Sequence, residues 1–78
     1  MEFEKVVSII SEVLGTDPET ISEDSKFIDD LGADSLDVMQ IIMGIEQEFD
    51  IEIDENTAKT IVTVGDAVEK IKGAIADK

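Results

Sequence analysis

A chain of 78 residues is long enough for one small domain and no more, and the reading is a single domain over residues 1–78. It has no histidine and no cysteine, which removes the commonest general base, the commonest metal ligand, any disulfide and any thiolate zinc site. Its net charge of −14, from 20 acids against six lysines and no arginine, disfavours nucleic acid and anionic membranes and favours partners with basic surfaces.

The apolar residues, 42% of the chain, fall at helical spacing, so disorder does not follow from the acidity. Phe3, Val6, Val7, Ile10, Val13 and Leu14 predict a first amphipathic helix that Gly15 ends in a left-handed cap. The next segment, TDPETISEDSKFIDDLGAD, has no period and reads as a long connection pinned by Ile21, Phe27, Ile28 and Leu31. A second helix is expected from about Ser35 to Phe49. Asp54 caps a short third helix ending near Ile61. Thr63 and Asp66 have capping-box spacing before a last helix with apolar positions Val64, Ala67, Val68, Ile71, Ala74 and Ile75. Ile51 and Ile53 alternate with acids, but a lone strand has no partner and is rejected. The predicted fold is all-α: a four-helix bundle with a long loop between the first two helices and a short third helix. Met1-Glu2-Phe3-Glu4 begins no leader, and no apolar run reaches membrane-spanning length. The expectation is a soluble, cytoplasmic protein.

The second helix carries two apolar stripes. Val38, Ile41, Ile42, Ile45 and Phe49 make the one that should face the core. Leu36, Met39 and Met43 make another on a different face, which either lies under the long loop or stays open as an adaptable binding surface. No lysine occurs between Phe27 and Ala58, while Asp29, Asp30, Asp34, Asp37, Glu46, Glu48, Asp50, Glu52, Asp54 and Glu55 are all acidic. Such a one-sign field can steer a basic partner. Ser35 stands at the entry to this face. It or Asp34 can cap the helix, with Asp37 at the positive end of the dipole. A helix start also stabilises an attached phosphate.

Asp34-Ser35-Leu36, preceded by Leu31-Gly32-Ala33, resembles the attachment motif of acyl carrier proteins. The segments FIDDLGADSLD, EQEFDIEID and TVGDAVEKI are similar to their counterparts in that family, in order and spacing, so the resemblance spans essentially the whole chain. It implies a monomeric, non-catalytic carrier whose Ser35 bears 4′-phosphopantetheine from coenzyme A, attached by a separate phosphopantetheinyl transferase. The arm would hold an acyl group as a thioester and deliver it to fatty-acid synthase enzymes with basic docking patches. Asp34, Leu36, Asp37, Met39, Met43 and Glu46 would then contact partners. The resemblance also implies that the acyl chain can be tucked between helices, with Ile45, Ile53, Ala58 and Ile61 at the matching positions.

The chain departs from that pattern at several positions. Gln40 and Gln47 stand where glutamates are frequent, and Asp50 and Asp54 where glycine and proline are common. Gly44 replaces a frequent alanine and should cost the helix about 1 kcal/mol. These departures leave open a secondary carrier for polyketide or another acyl pathway. The rival from a different class is an acidic adaptor without a prosthetic group, for which Ser35 is only a cap. An EF-hand over Asp50, Glu52, Asp54 and Asn56 fails at Glu55, where glycine is needed, and at Ile61, where a glutamate belongs. No specific metal site is expected.

Overall fold

Helix α1 runs Glu2–Leu14 and buries Val6, Val7 and Ile10, the centre of its predicted stripe, with two glutamates in its first turn at the favourable end of the dipole. Gly15 follows at φ 67°, the left-handed cap that the sequence calls for, and its amide donates to Ser11 O at 2.8 Å. The computed structural model describes residues 2–76. Lys78, the last of the six lysines, and Met1, the first residue of the leader reading, lie outside them.

Helix α2 spans Ser35–Phe49, the predicted bounds, and buries Ile41, Ile42 and Ile45. Helix α3 is Glu55–Lys59, capped by Asp54, whose carboxylate accepts from Thr57 N–H at 2.7 Å. That bond, ahead of the others at this turn, lowers the Asp54 pKa. The sequence placed the end of α3 near Ile61, but the helix stops at Lys59, where the Thr60 N–H turns back to Thr57 and Ala58. Helix α4 is Val64–Ala76. Its capping box forms as expected: Asp66 N–H donates to Thr63 Oγ1, and Thr63 N–H donates to Asp66 Oδ2, both at 3.1 Å. The Thr63 amide first, then the Val62 amide, hold the Asp66 carboxyl below its ordinary range.

Helices α1, α2 and α4 enclose the core. Ile10, Ile41, Ile45, Ile71, Val6 and Val64 are its largest fully buried side chains, all aliphatic. Ile75, assigned to the apolar face of α4, is instead exposed at the end of the helix.

Gly44 has its explanation in this packing. A Cβ at that position would lie 2.9 Å from Ile9 Cγ2, inside van der Waals contact. The glycine therefore lets α1 approach α2, and the propensity cost expected from sequence is offset by that approach. At the far end of α2 the same pair of helices is tied by Lys5, whose Nζ is 3.6 Å from Glu48 and 5.8 Å from the Phe49 ring centroid. Such an exposed pair adds little to stability.

The long connection is more structured than its sequence suggests. Asp17 caps a 3₁₀ turn over Pro18–Thr20, with Glu19 N–H on Asp17 Oδ1 at 2.9 Å. Ile21 and Phe27 are buried and Leu31 packs against the core, as predicted. Ile28 is the exception. Lys26 and Thr63 form an isolated antiparallel bridge, and Phe27 N–H donates to Val62 O at 3.0 Å. Val64 N–H to Ser25 O at 3.0 Å and Gly65 N–H to Glu23 O at 2.9 Å continue the attachment. With Phe27 turned into the core, its neighbour Ile28 points out and is 62% exposed.

Candidate functional site

The first turn of α2 settles which residue caps it. Asp34 has extended backbone (φ −96°, ψ −177°), and its Oδ1 accepts from Asp37 N–H at 2.9 Å. Asp37 Oδ2 accepts in return from Asp34 N–H at 3.2 Å, completing a capping box made of two aspartates. Ser35 is thus the first helical residue rather than the cap. Its side chain is exposed, and the local backbone asks nothing of its hydroxyl. Ala33 is buried beneath, with its amide on Phe27 O at 2.9 Å, so the loop before the serine is anchored.

From Ser35 a groove of about 1020 Å³ opens between α2, α3 and the long loop. Val38, Met39, Ile42, Met43 and Glu46 line one wall, from α2. The other wall comes from the loop, from α3 and from the segments flanking it. Of the four positions assigned to acyl-chain burial, Ile53, Ala58 and Ile61 line the groove. Ile45 does not, because it faces α1 and α4 from the inner side of α2 and is fully buried.

The second stripe of α2 is left open. Leu36, Met39 and Met43 are 66%, 59% and 53% exposed, so the loop does not cover that face. Asp34 and Asp37 border its start. Exposed Gln40 and Gln47 share the helix surface, and Glu46 is half-buried at the groove wall. Several of the acids read from sequence as a field also hold the backbone. Besides the cap pair, Asp30 Oδ2 accepts from Lys26 N–H at 2.8 Å, and Glu46 Oε2 accepts from Ile53 N–H at 2.9 Å. The Glu46 carbonyl further accepts from the amides of Asp50 and Ile51, so this residue shapes the whole turn after α2. Asp50 sits there at φ 54°, the left-handed C-cap of the helix.

These features decide what the site can do. Among the described residues no group of three or more histidines, cysteines, aspartates or glutamates is placed to hold a metal ion. Asp34 and Asp37 are both engaged with each other's amides, and neither hydrogen-bonds Ser35. What the site does offer is an exposed hydroxyl on the first residue of a 15-residue helix, beside the long apolar groove. A phosphate ester on that hydroxyl would sit at the positive end of the dipole. The residues present therefore fit a phosphopantetheine group.

Sequence reasoning missed part of the groove: Lys26, Asp29, Lys59 and Val62 also line it. The pairing of the loop with residues 62 and 63 sets Lys26, Asp29 and Val62 beside Lys59 of α3, and no local pattern announces that pairing.

Comparison with known proteins agrees with this geometry. Residues 4–71 match the family described as the phosphopantetheine attachment site. The chain is similar to the acyl carrier protein of Clostridium acetobutylicum, with 53% identity over 72 residues, 92% of this chain and 94% of that protein. It is similar also to the acyl carrier protein of Sulfurovum sp. strain NBC37-1, with 49% identity over 70 residues, 90% of this chain and 93% of that one. In structure it resembles the crystal structure of an acyl carrier protein from Thermotoga maritima. The TM-score is 0.84 at 33% identity, covering 99% of this chain and 94% of the other.

Proposed function

This chain belongs to the acyl carrier protein family, and on that premise we propose that Ser35 is its attachment residue for 4′-phosphopantetheine. The observation that carries the assignment is the Asp34–Asp37 capping box, which leaves the exposed Ser35 hydroxyl with no part in closing the helix. When bound, the group supplies a terminal thiol that holds an acyl chain as a thioester.

The chain's own residues present and orient; they do not catalyse. Attachment joins the Ser35 oxygen to the phosphorus that carries the pantetheine arm in coenzyme A. The pyrophosphate P–O bond breaks, adenosine 3′,5′-bisphosphate leaves, and the hydroxyl proton passes to a base. Neither neighbouring carboxylate hydrogen-bonds Ser35, since each turns one oxygen to the other's amide, and the chain has no histidine; the base is accordingly read as the transferase's. The positive end of α2 then favours the phosphodiester. The groove that opens at Ser35 has the volume and the mostly apolar lining to receive an acyl chain between α2 and α3.

The family works with a phosphopantetheinyl transferase and with acyl-processing enzymes. The finer reading is that these are fatty-acid synthase enzymes, met through Asp34, Leu36, Asp37, Met39, Met43 and Glu46. Exposed Leu36, Met39 and Met43 give such a partner an apolar contact, and the acids around them suit basic docking patches. The chain is read as one monomeric carrier domain, working in the cytoplasm. Among the described residues no helix is long and apolar enough to cross a membrane.

Intact mass spectrometry tests the assignment directly. After incubation with coenzyme A, Mg²⁺ and a broad-specificity phosphopantetheinyl transferase, the wild-type protein should gain one phosphopantetheine and Ser35→Ala none. No gain on either would remove the carrier reading and leave an acidic adaptor. A gain on both would move the attachment to another residue.

A further inference from the structure

The two walls of the groove differ in charge. The α2 wall has no lysine, whereas the opposite rim carries Lys26 and Lys59. Two of the six lysines of this chain thus stand on one groove, amid 20 acids. Among the described residues the one ion pair is Lys5 with Glu48, and neither Lys26 nor Lys59 has a carboxylate partner. Asp29 and Glu55 line the same wall, so its sign is mixed, in contrast to α2.

Beside these cations stand two exposed aliphatic side chains, Ile28 and Val62, at 62% and 52% exposure. They are not on a loose loop. The Phe27 N–H to Val62 O bond and the Lys26–Thr63 bridge hold them on a common backbone frame. Thus the rim is built: two rigidly presented apolar residues with two unpaired ammonium groups nearby.

We propose that this rim is a second docking surface, which receives a patch of a partner enzyme that sets carboxylates beside an apolar contact. The partner is then bipolar, basic where it meets α2 and acidic where it meets Lys26 and Lys59. Such a pattern fixes the rotation of the carrier on its partner, which a one-sign field cannot do. The proposal rests on the carrier reading above.

Reversing the charge of the rim separates the two kinds of docking by sign. Lys26→Glu with Lys59→Glu replaces two positive charges by two negative ones and takes the net charge from −14 to −18. If only the overall field matters, binding to a basic partner strengthens. If the rim meets carboxylates, binding weakens. The probe is a fatty-acid condensing enzyme from the same organism, with the acyl-loaded carrier as the varied substrate and thermal melting as the check on folding.

The expected result is a KM raised about three- to tenfold with kcat unchanged, and wild-type values for Lys26→Arg with Lys59→Arg. The difference should fade near 1 M salt, where the Debye length is about 3 Å. A KM that stays constant or falls on charge reversal would overturn the proposal. So would a rise seen only with carboxylate-terminated acyl groups, since the lysines would then serve the cargo. Failure of the wild-type protein to accept the arm would remove the carrier reading itself, and the rim proposal with it.

Discussion

Ile41 and Met39 are two residues apart on α2, yet one is 1% exposed and the other 59%. The helix turns its first side to α1 and α4, where aliphatic side chains close a dry core. Its second side faces the groove, where equally apolar side chains remain in contact with water. Hydrophobicity alone does not distinguish the two. What differs is the supply of neighbours: α1 and α4 are full-length helices of 13 residues each, while α3 has only five. A domain of this size cannot surround a helix that is apolar on two sides. The surplus face is what remains for recognition, so stability and binding should respond to different residues.

The inner side gives the largest effect. Ile10→Ala removes a fully buried side chain from the α1 stripe and should cost about 2–5 kcal/mol. A domain of this length holds roughly 4–12 kcal/mol in all, so urea unfolding should show a midpoint near collapse. A loss under about 1 kcal/mol would mean that the core is less closed than its geometry.

The seam between α1 and α2 comes next. Gly44→Ala improves helix propensity but drives a methyl into Ile9, and the clash should win by about 1 kcal/mol. In an Ile9→Ala background the same substitution should become stabilising by about 1 kcal/mol. Equal effects in both backgrounds, read from denaturant midpoints, would show that Gly44 has no part in the approach of α1.

On the open side the smallest change in stability is expected. Leu36→Ala and Met39→Ala should each shift the unfolding free energy by no more than about 0.5 kcal/mol. Each should nonetheless raise the KM of a partner enzyme about tenfold, equivalent to about 1.4 kcal/mol of lost contact. A large loss of stability with an unchanged KM would reverse the division between the two sides.

Periodicity and capping chemistry make most of the helical frame legible in the sequence. The ends of α2 coincide with its predicted bounds because Asp34 and Asp37 mark its start and the apolar stripe ends at Phe49. Thr63 and Asp66 announced α4 in the same way. The reading was weaker wherever a contact joins distant residues. Ile28 looks like a core residue in a loop, and only the pairing of Phe27 with Val62 turns it outward. Gly44 looks like a weak point of a helix until Ile9 is placed beside it. At the site, the motif singled out Ser35, but whether it or Asp34 capped the helix depended on one backbone conformation. Lys26, Lys59 and Val62 carry no local signal, since their meaning comes from the groove they share.

The capping box of two aspartates leaves position 35 structurally vacant of duty. Neither of the two hydrogen bonds that close the helix uses the Ser35 side chain, so a group joined there would not have to displace them. On the proposed assignment of Ser35, covalent history at that position would not be written into the scaffold, and one folded form could serve each chemical state of the serine. A protein used over and over needs such a residue at the edge of its architecture. Here the neighbour's carboxylate makes that possible.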